Sequence, residues 1–148
     1  MKLETGICGE QSVRVSAENT AKTMGSGTLD VFATPAMIAL MENAACNAIA
    51  DALEDGQSSV GTKLDVSHDA ATPGGMHVTA KAELIEVDRR RLVFRVTASD
   101  DAGPIGQGTH ERFLIMADKF LAKAEAKKAQ EAKAKAKAAK KADKAKKD

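Results

Sequence analysis

Glu42 lies in Ala36-Met37-Ile38-Ala39-Leu40-Met41-Glu42-Asn43-Ala44-Ala45, a run of small and apolar residues. A carboxylate there is costly unless it faces water or a fixed partner. It is therefore either one member of a wet stripe with Asn43, Asn47 and Asp51, or a group kept for acid–base or nucleophilic work. His68 lies in Val66-Ser67-His68-Asp69-Ala70-Ala71-Thr72-Pro73-Gly74-Gly75-Met76, where an extended segment meets a Gly/Pro-rich turn. An imidazole at such a place either decorates a loop or moves protons for a substrate. His77 and His110 read as ordinary strand positions, and Cys46, one turn after Glu42, as a small buried thiol. No His or Cys pair has C-x2-C or H-x3-H spacing, so no metal site is expected. The chain has no G-x-G-x-x-G, P-loop or G-x-S-x-G elbow, which weighs against nucleotide hydrolysis and serine hydrolase chemistry. No cofactor is implied.

The elements that must carry these groups follow from pattern. Thr34-Pro35 reads as a helix start, with Thr34 as N-cap and Pro35 at the first helical position. The helix is expected to run to Leu53 and to stop near Gly56. Its first two turns are apolar all round, which predicts burial on nearly every side, under a sheet or a second subunit. Two extended segments, Lys2–Cys8 and Ser12–Ser16, flank a Gly9-Glu10-Gln11 turn signal, and Ala17–Thr28 reads as a loop and candidate lid. Four strands follow the helix, at Ser58–Ser67, Met76–Val87, Arg91–Ser99 and Ile105–Met116. Their tight connections predict an antiparallel meander. The fold class is α+β, a curved antiparallel sheet wrapped around one long central helix. An open sheet edge and a half-covered helix predict a two-fold homodimer.

Composition divides the chain unevenly. All 28 Leu, Ile, Val and Phe residues lie at or before Leu121. Residues 122–148 carry eleven Lys, eleven Ala and four acids, a charge of +7, against a whole-chain charge of +1, so residues 1–121 hold −6. The expected organisation is a domain over 1–121 and a solvated or partly helical tail over 122–148. The tail has no aromatic residue, and its expected contacts are nucleic acid or an acidic partner. Only two cysteines, no signal-like N-terminus and no long apolar run predict a cytoplasmic protein without membrane contact.

Phe32-Ala33-Thr34-Pro35-Ala36-Met37-Ile38-Ala39-Leu40-Met41-Glu42, Gly61, His68 with Ala71-Thr72-Pro73-Gly74-Gly75-Met76, and Gly108-Thr109-His110-Glu111-Arg112-Phe113 together resemble the fluoroacetyl-CoA thioesterase-like branch of the hotdog-fold thioesterases. The resemblance covers almost all of residues 1–121. In that family a Thr and a Glu eight apart on the central helix, and a His twenty-six further on, form the catalytic triad. Thr34, Glu42 and His68 keep both intervals.

The resemblance implies a hotdog fold with active sites at a dimer interface, where Thr34 and Glu42 of one chain meet His68 in an arrangement that only the dimer completes; a dimer of dimers is a further option. It implies hydrolysis of a short- or medium-chain acyl-CoA thioester, fluoroacetyl and aryl groups included. Glu42 would be the nucleophile or the base that activates water, His68 the general acid/base, and Thr34 the group that orients Glu42 or steadies developing charge. Gly61, Arg112 and Phe32 would bind substrate. In the family an aromatic lid gives fluoroacetyl selectivity, and Thr20–Thr28 contains no Phe, Tyr or Trp. Lys63, Lys81 and Arg89–Arg91 are candidates for the CoA phosphates. The competing expectation is a non-catalytic acyl-CoA-binding or regulatory module on the same fold.

Overall fold

Val78, Ala80, Ala82 and Leu84 are buried while Lys81 between them is exposed, the period-two signature of a strand with one wet face. That strand sits in the order β1 (Cys8–Arg14), α1 (Ala21–Met24), α2 (Thr34–Ile49), β2 (Gln57–His68), β3 (His77–Asp88), β4 (Arg91–Asp100), β5 (Gly103–Met116) and α3 (Ala117–Lys147). These come from a computed structural model that describes residues 2–147. The strands form one five-stranded sheet, ordered β1-β3-β4-β5-β2. The expected meander holds for β3, β4 and β5, whose neighbours pair antiparallel. It fails for β2, which pairs with β5 at the far edge because β1 takes the place beside β3.

The helix α2 buries Met37, Leu40, Met41, Ala44, Ala45, Ala48 and Ile49. The inward residues of β3 and β4, among them Leu84, Leu92, Phe94 and Val96, complete one core with it. Pro35, Ala39 and Asn43 are exposed. The helix is thus covered on one side and open on the other, where burial nearly all round was expected. A short 3-10 turn, Ala50–Ala52, closes it.

Gly9 was expected in a turn, yet β1 runs straight through it. A Cβ at Gly9 would collide with the backbone of Ala44 and Ala48 on α2. The glycine lets strand and helix approach almost backbone to backbone, a tertiary demand with the same local signature as a turn. Gly9→Ala should therefore cost about 3 kcal/mol, with a fall in Tm of about 10 °C. Calorimetry is the suitable measurement, because the chain has no Trp or Tyr.

The segment expected as a loop between β1 and α2 contains α1, capped by the Thr20 side chain at its start and by left-handed Gly25 at its end. The residues up to Leu114 form one compact unit and those from Ile115 a second. In the second, α3 is a continuous helix with Lys128–Glu125 and Lys135–Glu131 pairs. Among the described residues no helix is long and apolar enough to cross a membrane.

Candidate active site

The backbone ahead of α2 is fixed before the helix begins. Phe32 N–H donates to the Thr72 carbonyl at 2.8 Å, and Ala33 N–H to the Asn19 carbonyl at 2.9 Å. Ala33, not Thr34, is the N-cap, and no side chain caps the helix. Thr34 is instead the first helical residue, which frees its hydroxyl. Its Oγ1 lies 2.7 Å from His68 Nδ1 at the end of β2. The other ring nitrogen, His68 Nε2, is buried without a hydrogen-bond partner among the described residues. Phe32, Thr34, His68 and Ala71 line a cavity of about 240 Å³ that α1 borders through Ala21.

Glu42 follows Thr34 by eight residues, about 12 Å along the helix axis. Within one chain it is not brought to the Thr34–His68 pair. Thr34 thus engages His68 inside its own chain, and Glu42 stands apart from both. Glu42 Oε2 receives a hydrogen bond from Arg112 Nη1 at 3.2 Å and lies 3.9 Å from His110 Nε2. Oε1 has no partner among the described residues, and the Glu42 side chain is 36% exposed. Arg112 is fixed from its other side by Ser59, donating to the hydroxyl at 2.8 Å and to the carbonyl at 3.0 Å.

His110 was read as an ordinary strand residue, but it belongs to this network. It is fully buried, with Nδ1 2.8 Å from the Lys63 carbonyl and Nε2 3.1 Å from Arg112 Nη1. Only the neutral ring with its proton on Nδ1 satisfies both contacts, since the carbonyl accepts and the guanidinium donates. Burial pushes the His110 pKa below its ordinary value, and the nearby Arg112 charge adds to the effect. The signal in the sequence is the i, i+2 pair His110 and Arg112, two polar residues on the inward face of β5.

An unfolded chain takes up a proton at the ordinary histidine pKa of about 6.5, whereas the folded protein resists protonation of His110. Its contribution to stability is then complete above that pH and is lost as pH falls below it. The Tm of the native protein should drop between pH 7.5 and pH 5. His110→Gln should begin lower and show a shallower drop, measurable by calorimetry at the two pH values.

Gly61, on β2, faces this cluster. A Cβ there would stand 2.5 Å from Glu42 Oε2 and 3.2 Å from His110 Cε1. Phe32, by contrast, is buried on the Thr34–His68 side. The expected site residues thus fall into two clusters, Thr34, His68 and Phe32 in one and Glu42, Gly61 and Arg112 in the other. Of the candidates for phosphate binding, Arg91 is engaged by Glu111 at 2.5 Å and Glu86 at 3.3 Å, and Arg90 stacks over Phe113. Lys63 lies 4.0 Å from Glu111 and is largely exposed, as is Lys81.

Residues 15–118 match the family described as fluoroacetyl-CoA-specific thioesterase. The fluoroacetyl-CoA thioesterase of Streptantibioticus cattleyicolor is 51% identical over 98 residues, which span 66% of this chain and 70% of that protein. The solved structure of the fluoroacetyl-CoA thioesterase FlK aligns with a TM-score of 0.81 at 40% identity, over 86% of this chain and 98% of that one. A thioesterase superfamily member from Thermus thermophilus aligns with a TM-score of 0.79 at 27% identity, over 86% and 94% of the two chains.

Proposed function

Because this chain belongs to the fluoroacetyl-CoA-specific thioesterase family, we propose that Thr34, His68 and Glu42 carry out its hydrolysis of acyl-CoA thioesters. The protein is a thioester hydrolase on the hotdog fold. The observation that carries the residue assignment is the 2.7 Å contact of Thr34 Oγ1 with His68 Nδ1, combined with a buried and unpartnered Nε2 beside a small cavity. When the Thr34 hydroxyl donates to Nδ1, the ring's N–H is on Nε2 and donates a hydrogen bond to the negative charge that develops on the thioester. Glu42 attacks the thioester carbonyl, or takes the proton of the water that does, through the oxygen that Arg112 leaves free. In either case the C–S bond breaks, the water oxygen ends up in the acid and one proton of that water ends up on the CoA thiol. Arg112, held by Ser59 and His110, fixes the Glu42 carboxylate, and Gly61 leaves it room.

A thioester carbonyl must lie about 3 Å from each group that acts on it, yet Thr34 and Glu42 are about 12 Å apart along one helix. The two clusters therefore serve one carbonyl only when a second copy completes each site. The open stripe of Pro35, Ala39 and Asn43 supports that two-fold homodimer. Free Cys8 and Cys46 support a cytoplasmic setting. The 240 Å³ cavity and the lack of an aromatic residue over positions 20–28 favour short- and medium-chain acyl groups in general over fluoroacetyl alone.

The test is free-thiol release from acetyl-, fluoroacetyl-, butyryl-, hexanoyl- and phenylacetyl-CoA. Turnover of the short esters is expected, declining for hexanoyl. Tight binding of the esters without release of thiol from any of them would instead assign the chain to the acyl-CoA-binding module.

A further inference from the structure

The helix α3 spans 31 residues, and its described side chains beyond Ala117 are all exposed. An α-helix turns 100° per residue, so positions separated alternately by four and three lie on one line of its surface. Lys119 and Lys123 begin such a line, and Lys133, Lys137, Lys140 and Lys144 continue it, with only Ala126 and Gln130 between. No carboxylate occurs on it. Asp118, Glu125 and Asp143 project from another side, and the Lys128–Glu125 and Lys135–Glu131 pairs use lysines off the line. Five of the eleven lysines of residues 122–148 thus join Lys119 in a cationic rail about 37 Å long between Lys119 and Lys144.

We propose that this rail is a docking surface for the phosphodiester backbone of double-stranded nucleic acid, used without regard to base sequence. From Lys133 to Lys144 the lysines of the rail recur about every 5 Å along the axis, and each strand of a duplex offers a phosphate about every 3.4 Å. A duplex presents phosphates along the whole length of such a rail, whereas an irregular acidic patch on a folded protein meets few of its lysines. Lysine supplies point charges without the planar fork that reads a guanine edge, so it positions a backbone and specifies no sequence. After Leu121 the chain has no Val, Ile, Leu, Met or aromatic residue. A helix lying in a membrane surface needs an apolar face to bury, and stacking on single strands needs aromatic rings.

The test compares binding of the full chain to a fluorescein-labelled 30-base-pair duplex of mixed sequence by anisotropy, from 50 to 200 mM salt. The rail variant carries Lys133→Gln, Lys137→Gln, Lys140→Gln and Lys144→Gln. An off-rail variant of equal charge carries Lys127→Gln, Lys128→Gln, Lys135→Gln and Lys146→Gln. Gln keeps the helix propensity, and circular dichroism verifies the helix in each. The rail variant should bind at least tenfold more weakly, with the slope of log K against log salt reduced by about 3, while the off-rail variant loses less than threefold. A second duplex of scrambled sequence should bind equally well. Equal losses in the two variants, or no binding by the native chain at 50 mM salt, would overturn the proposal. Binding to vesicles of anionic phospholipid in preference to the duplex would assign the rail to a lipid surface instead. A raised KM for acyl-CoA in the rail variant would assign it to the substrate's own phosphates.

Discussion

Glu42→Gln should lower kcat for acyl-CoA hydrolysis by about 10³-fold while changing KM little. The substitution is nearly isosteric, and the Gln carbonyl still accepts from Arg112, so the arrangement around Ser59, His110 and Arg112 survives. What is lost is a carboxylate oxygen with no protein partner, the atom available to the thioester. Steady-state thiol release measures the loss, and a variant within tenfold of the native rate would remove Glu42 from the chemistry. Hydrolysis in ¹⁸O-water over many turnovers then separates the two roles open to the residue. Label recovered in the Glu42 side chain identifies an acyl-enzyme anhydride, opened by water at the enzyme carbonyl in a share of turnovers. Label confined to the product acid shows that water never opens an enzyme carbonyl, as direct attack on the thioester requires.

The second large effect is expected from mixing. His68→Ala should also reduce turnover by about 10²-fold or more, through loss of the Nε2–H donor. If each site takes Thr34 and His68 from one chain and Glu42 from its partner, a dimer of one Glu42→Gln chain with one His68→Ala chain has one doubly defective site and one intact site. Unfolding and refolding an equimolar mixture should then restore about a quarter of the native rate, since half the dimers are mixed and each has one working site. Either variant alone stays at its own low level. Absence of recovery in verified mixed dimers would place all three groups in sites built from single chains, contrary to the separation along α2.

Most of the fold was legible because its signals are local. Alternation located β3, β4 and β5 to within a few residues, and Thr34-Pro35 located the start of α2 to within one. That one residue matters: a threonine at the N-cap spends its hydroxyl on the helix, and one position later it is free for His68. Gly9 was misread because a glycine kept for close packing and one kept for a turn differ only in what lies across from them. The placement of β2 beside β5 depends on competition between strands distant in sequence. Family spacing singles out Thr34, Glu42 and His68 as expected site residues, whereas the bracing of Arg112, the partner of Glu42, by Ser59, Lys63 and His110 has no signal of that kind. Those contacts join residues 47 and 53 positions apart, and no local pattern encodes such pairings.

The edge position of β2 also sets an order of events in time. The strand that follows α2 cannot pair with the next one made; it waits until β3 and β4 have formed and β5 has arrived. Closing so long a loop is slow because chain entropy must be spent before any contact rewards it. Ser59, Gly61, Lys63 and His68 all lie on β2. A refolding chain should therefore form α2 and the β3–β4 hairpin before the part of the site carried by β2 is complete.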